Sequence, residues 1–259
     1  MSTGADEGER SVTGPLAGKV VLVTGGSRGI GRATVETAHR DGAEVVVHYA
    51  SNEAAARAIA DELGSRVHLV AGDLLEPGET ARVWDRAIGA AGRIDVLVNN
   101  AGAWLASPLD DDADWTRGWE QNLQLNLQAP ADLCRCAIHH YQERRGGIII
   151  NLASRSSHRG DDAEHLAYGA AKGGLLALTK GIARGYAKDG VLAYAIAPGW
   201  VATDIAASDP ANAGIAATLP LGEITPTSDV AEMIAFLASG RSRHATGATI
   251  DITGADYVR

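Results

Sequence analysis

The stretch Val20–Gly31, VVLVTGGSRGIG, decides how the rest of the chain is read. Its first half is an apolar, β-branched run with no polar break, the pattern of a strand buried on both faces. Thr24 ends the run, and Gly25, Gly29 and Gly31 follow within seven residues. Glycines so placed let the backbone turn sharply and bring its amides close to a ligand. Beyond Gly31 the segment RATVETAHRDG has a helical pattern that stops at Gly42. Strand, glycine turn and helix start make an anion site, because exposed amides and the helix dipole point the same way. Gly25, Ser27, Arg28, Gly29, Ile30 and Gly31 are therefore candidate phosphate contacts. The spacing is G-x-x-x-G-x-G, not the usual G-x-G-x-x-G, so the context further along has to decide the ligand.

That context is an unbroken alternation. Strands are predicted at 19–24, 44–49, 67–71, 94–98, 147–152, 191–196 and 248–252. Helices are predicted at 30–41, 53–63, 78–91, 112–143, 165–188 and 228–238. Alternation of this kind implies a doubly wound α/β fold, a mostly parallel seven-stranded sheet with helices on both faces. A length of 259 residues suits one such domain, and 46% hydrophobic residues supply its core. Residues 1–15 read as a flexible N-terminal leader and 16–259 as a single catalytic domain. The net charge of −9 argues against nucleic acid or a membrane surface as partner. The longest apolar runs are much shorter than a membrane span. Cys134 and Cys136 diverge at i, i+2 on a helix and read as plain thiols of a reducing, cytoplasmic compartment.

Unusual residues cluster just past the ends of predicted strands. Thr24-Gly25, Tyr49-Ala50-Ser51, Gly72-Asp73, Asn99 to Gly102, Ser154 and Pro198-Gly199 all fall there. In an open α/β sheet that edge is where ligands bind. Tyr168 and Lys172 lie four residues apart on a predicted helix and share one face. An ammonium beside a phenol favours the phenolate. Lowering a tyrosine from ~10 to near 7 takes about 4 kcal/mol of differential interaction, and such a phenol exchanges protons with a carbonyl oxygen at neutral pH.

Taken together, Thr24 to Gly31, Asp73-Leu74, Asn99 to Gly102, Asn126, Ser154, Tyr168-x-x-x-Lys172 and Pro198-Gly199 with Thr203 resemble the short-chain dehydrogenase/reductase family. The resemblance runs from Leu16 to the C-terminus and implies a single-domain, Rossmann-type oxidoreductase. It implies that Tyr168 is the acid/base and that Lys172 tunes it and holds the nicotinamide ribose. Ser154 would hold the substrate oxygen, and Asn126 a water leading from Lys172 to solvent. Asp73 and Leu74 would meet the adenine, Asn100, Ala101 and Gly102 the adenosine ribose. Val201 and Thr203 would anchor the carboxamide, and Pro198 and Gly199 would also contact the cofactor. Three positions depart from the common pattern: a Ser154–Tyr168 gap longer by one residue, Tyr194 in place of asparagine, and Gly254-Ala255 in place of Gly-Gly.

Tyr49, Ala50, Ser51 and Asn52 close the second strand without a carboxylate, and Arg28 offers a cation. Both features favour NADP(H), with NAD(H) as the alternative. The expected reaction is reduction of a ketone, such as a 3-oxoacyl thioester or a small polar carbonyl. The alternatives are NAD-dependent oxidation of a polyol, sugar or steroid alcohol, or a non-catalytic nucleotide-binding regulator. Trp104, the loop 155–166, Trp200 and the segment 204–222 would frame the small-molecule substrate. At least two of His158, Arg159 and His165 are expected to face solvent only. No metal-ligand spacing occurs, and no catalytic metal is expected. Trp115 and Trp119 form one aromatic face, of core or interface, and the resemblance implies a homotetramer.

Overall fold

The computed structural model describes residues 13–203 and 214–259. Seven strands form one parallel sheet: β1 (Val20–Val23), β2 (Glu44–Tyr49), β3 (Val67–Ala71), β4 (Val96–Asn99), β5 (Gly147–Leu152), β6 (Val191–Pro198) and β7 (Thr249–Ile252). Their order across the sheet is β3-β2-β1-β4-β5-β6-β7. Leu22 stands opposite Val46 on one side and Leu97 on the other, and Val98 opposite Ile150. The expected element order is thus reproduced, with strand limits shifted by two residues or fewer.

Each central strand is apolar on both faces, and side chains alternate between two cores. Val21, Val23, Val96, Val98, Ile148 and Ile150 join one core, completed by α1 (Gly29–Arg40) and α8 (Thr227–Ala238), which pack together. Val20, Leu22, Leu97 and Ile149 join the other, under α3 (Glu79–Ala91) and α5 (Ala129–Arg144). The remaining helices are α2 (Glu53–Leu63), α4 (Asp112–Leu123), the single turn α6 (Ser156–Arg159) and α7 (Leu166–Tyr186). Leu16, fully buried, opens the core, and its amide donates to Asp41 O at 2.9 Å. The predicted leader falls mainly on residues 1–12, outside the described residues.

Two departures from the expected elements bear on the site. The helix expected over 112–143 is divided by a π-helical turn, Gln124–Gln128, between α4 and α5. The loop after Ser154 contains the helical turn α6, which Gly160 ends at φ 81°.

The order of strands runs outward in opposite senses from β1 and β4, so the C-terminal ends of this parallel pair open a crevice where Thr24 and Asn99 stop. No described helix is long and apolar enough to cross a membrane. No described group of histidine, cysteine or carboxylate side chains has the arrangement to hold a metal ion.

Candidate active site

A cleft of about 840 Å³ runs along the C-terminal edge of the sheet. All the candidate catalytic and cofactor residues line it except Gly31, which sits behind the glycine turn; Thr24, Gly72, Asn99, His158 and His165 do not line it. A Cβ at Gly31 would lie 2.1 Å from Gly25 O, so only glycine lets α1 approach β1 this closely. Gly25 and Gly29 adopt φ of 62° and 53°, the left-handed region that favours glycine. No side chain caps the first turn of α1. Thr24 Oγ1 accepts from the amides of Asn100 and Ala101 at 3.0 and 2.9 Å, and Asn100 Nδ2 donates to Thr24 O at 2.9 Å. The two strand ends are thereby clasped into one wall.

Sequence reasoning missed His48. Its Nδ1 accepts from the Gly25 amide at 3.1 Å, and its Nε2 donates to Gly72 O at 2.9 Å. Burial pushes the imidazole down to about 4, so it stays neutral and the bond at Nδ1 is kept. Within the apolar run of β2 a histidine gave no signal of its own. On either side of it, Asp73 Oδ1 accepts from the Leu75 amide at 3.0 Å, and Asn52 caps α2 through the Ala55 amide at 3.1 Å. Tyr49 is buried at the end of β2, beside exposed Ser51.

At the far end, Asn126 lies in the middle of the π turn, fully buried. The bulge rotates its amide out of the helical ladder, and Nδ2 donates to Ala103 O at 2.9 Å. A Cβ at Gly102 would stand 2.7 Å from Asn126 Oδ1 and 3.3 Å from Lys172 Nζ, so the three groups share one point. Lys172 is 4% exposed, and its Nζ donates to Leu152 O at 2.7 Å. Ser154 follows β5, where its Oγ accepts from the Ser156 amide at 3.1 Å. Tyr168 is half-buried on α7, with Lys172 Nζ 5.8 Å from its ring centroid.

The electrostatics differ from the simple expectation. Burial pushes the Tyr168 phenol up to about 12, although a hydrogen bond with Ser154 acts the other way. Burial alone pushes Lys172 down to about 8. The ammonium is turned to a carbonyl, so desolvation outweighs its pull on the phenol. These protein groups alone therefore do not lower Tyr168.

The substrate end is aromatic. Trp104 and Trp200 meet edge to face, 6.4 Å apart at 85°. Their surroundings correct the expectation for the loop side chains. His165 is half-buried and stacked on Trp104 at 3.7 Å, and His158 is half-buried and stacked on Tyr257 at 5.7 Å. Only Arg159 is exposed, at the cleft wall. Arg155 is an unforeseen buried cation, held to Asp256 by an ion pair. Of the segment 204–222, residues 204–213 lie outside the described residues; Ile215–Thr218 form a 3₁₀ turn.

Tyr194 is fully buried, with its hydroxyl donating to Ser242 O at 2.9 Å, and Ala255 takes φ 65°. Trp115 and Trp119 are half-buried, 5.5 Å apart. Cys134 and Cys136 are thiols, the former pushed up to about 12 by burial.

Amides at a helix start, the close-approach glycines and the size of the cleft fit an elongated, phosphate-bearing dinucleotide. Comparison with known proteins agrees. A family model described as enoyl-(acyl carrier protein) reductase matches residues 25–254. The chain is 35% identical over 243 residues to the 3-oxoacyl-(acyl-carrier-protein) reductase FabG of Escherichia coli, covering 93% of this chain and 98% of that one. It is 36% identical over 248 residues to 3beta-hydroxysteroid dehydrogenase 1 of Eggerthella lenta, covering 92% and 94%. A blue fluorescent protein from a metagenomic library, solved in complex with NADPH, superposes with a TM-score of 0.85 at 35% identity, over 93% of this chain and 98% of that one. The angucycline C-6 ketoreductase LanV with bound NADP gives 0.84 at 30% identity, over 95% and 98%. The clasped glycine turn, the Tyr168 and Lys172 pair and these relatives together make the chain a member of the short-chain dehydrogenase/reductase family, the NAD(P)-dependent oxidoreductases.

Proposed function

We propose that the chain reduces a ketone to a secondary alcohol with NADPH, and runs in reverse as an alcohol dehydrogenase. The observation that carries the reading is the placement of Ser154, Tyr168 and Lys172 together in the wall of a cleft that continues to the glycine turn, with Lys172 Nζ 5.8 Å from the Tyr168 ring centroid. Two hydroxyl side chains in that wall suit a single carbonyl oxygen. The relatives named above include a 3-oxoacyl reductase, a ketoreductase and a hydroxysteroid dehydrogenase, which share interconversion of a ketone and an alcohol.

The amides from Ser27 to Gly31 and the Arg28 guanidinium would hold the phosphates, Arg28 reaching the 2′-phosphate beside Tyr49, Ser51 and Asn52, while the Gly25 and Gly26 amides are bonded to His48 and shape the turn. Asp73 and Leu74 would hold the adenine, Asn100 to Gly102 the adenosine ribose, and Pro198, Gly199, Val201 and Thr203 the carboxamide. When bound, the nicotinamide supplies the hydride. Ser154 donates a hydrogen bond to the substrate oxygen and polarises the carbonyl. Tyr168, held protonated by burial, gives its proton to the far more basic alkoxide oxygen. Lys172 would relay a replacement proton to Tyr168 from solvent, by way of a water that Asn126 would hold in place. The carboxylate-free end of β2 and the cation in the glycine turn favour NADP(H) over NAD(H).

The test is a titration of NADPH and NADH, followed by nucleotide oxidation with thioester, sugar, quinone and steroid ketones. Tighter NADPH binding and ketone-dependent oxidation are expected. Tighter NADH binding overturns the cofactor choice, and bound NADPH unconsumed across the panel overturns the reaction. On family resemblance we also propose a cytoplasmic homotetramer.

A further inference from the structure

We propose that Trp104 and Trp200 form a preset aromatic corner that selects a flat, neutral ring ketone over a linear acyl chain. The inference rests on the ketone-reductase reading above and names the substrate class for that site. Both indoles are half-buried and line the cleft, crossing at 85° with centroids 6.4 Å apart. They stand at the reacting end. Arg155, the residue after Ser154, lies 4.8 Å over the Trp200 ring, and Trp104 is two residues beyond Gly102, beside Lys172 Nζ.

Each indole is covered on one face by a neighbouring side chain. His165 stacks on Trp104 at 3.7 Å and 17°, and its Nδ1 lies 2.7 Å from Asp162 Oδ1. Arg155 lies over Trp200 and is ion-paired with Asp256. The backbone on either side is tied as well. The Ser107 amide donates to Glu164 O at 2.6 Å, joining the Trp104 segment to the loop of His165. Asn122 Nδ2 donates to Leu105 O at 2.9 Å, and the Arg155 amide to Pro198 O at 2.9 Å. Neither ring is left to reorient on binding, which lowers the ordering cost for a rigid ligand.

The chemistry of the corner follows. One face of Trp200 is covered by a guanidinium, so a second cation gains little there, and the corner is a poor cage for an ammonium substrate. Indoles at right angles offer a planar solute one stacked and one edge contact at once. A flexible acyl chain touches the same area but gives up rotamer freedom and has no ring to stack.

The experiment compares 2-tetralone with the N-acetylcysteamine thioester of 3-oxohexanoic acid, using the full chain, saturating NADPH and absorbance of the nucleotide. The wild type is expected to show a kcat/KM at least about ten-fold higher for the bicyclic ketone. Trp200→Leu and Trp104→Leu are each expected to lose at least about ten-fold more on 2-tetralone than on the thioester, mainly through KM. A preference for the thioester, or equal losses on both, overturns the proposal. If neither ketone is reduced, calorimetric binding of 2-tetralone to the NADPH-loaded protein decides. Binding that Trp200→Leu abolishes supports the corner and leaves the ketone-reductase reading to the panel above; absence of binding overturns the corner.

Discussion

At the residue scale, burial acts on Tyr168 and Lys172 in opposite directions. It holds the phenol protonated and loosens the proton on the amine, at about 12 and about 8. A donor that must be neutral before the reaction is thus kept neutral by the site. His48 follows the same rule for a different purpose. Its neutral imidazole joins Gly25 to Gly72, with Arg86, Asp73 and Glu79 nearby and burial the largest influence. Below its ordinary value of 6.5 the unfolded chain takes up a proton that the folded protein refuses until about 4. Stability therefore falls as pH drops through that window, by about 2 kcal/mol between pH 7 and pH 5. Urea unfolding at the two pH values checks this: His48→Gln should lack that part of the pH dependence. An equal pH loss in wild type and variant would contradict it.

At the element scale, the same substitution has opposite outcomes in two helices. Gly89 lies inside α3 with open space around its Cβ position. Gly89→Ala is expected to raise stability by about 0.5–1 kcal/mol, read from the urea midpoint. Gly31→Ala places a methyl 2.1 Å from Gly25 O. It should weaken NADPH binding more than about ten-fold, read by fluorescence titration, through forced opening of the turn. Elements were legible in the chain because buried parallel strands are written as apolar runs and the glycines mark their ends. Of the four residues proposed for catalysis, Ser154 was legible past a strand end and Tyr168 with Lys172 on one helical face, whereas Asn126 came only from the family resemblance. The π turn was not, since an added residue in a helical turn changes neither composition nor apolar spacing enough to be seen. His48, and the Arg155–Asp256 pair across 101 residues of chain, exist only through contacts that no local pattern encodes. Trp104 and Trp200 were placed at the pocket by sequence, whereas their right angle and the groups behind them needed the structure.

At the scale of the whole molecule, a parallel sheet with two cores makes a rigid floor, and the chemistry hangs on its C-terminal edge. The proposed tetramer predicts a light-scattering mass of four times 26.8 kDa. A mass of one chain would contradict that assembly while leaving the cleft intact.

The most direct test of the central claim is Tyr168→Phe, assayed for NADPH affinity and for ketone-dependent NADPH oxidation on the same preparation. Affinity should change less than about three-fold while kcat falls by about 10²–10⁴, the contribution of a positioned proton donor. Turnover at the wild-type rate, with nucleotide still bound, would contradict the account.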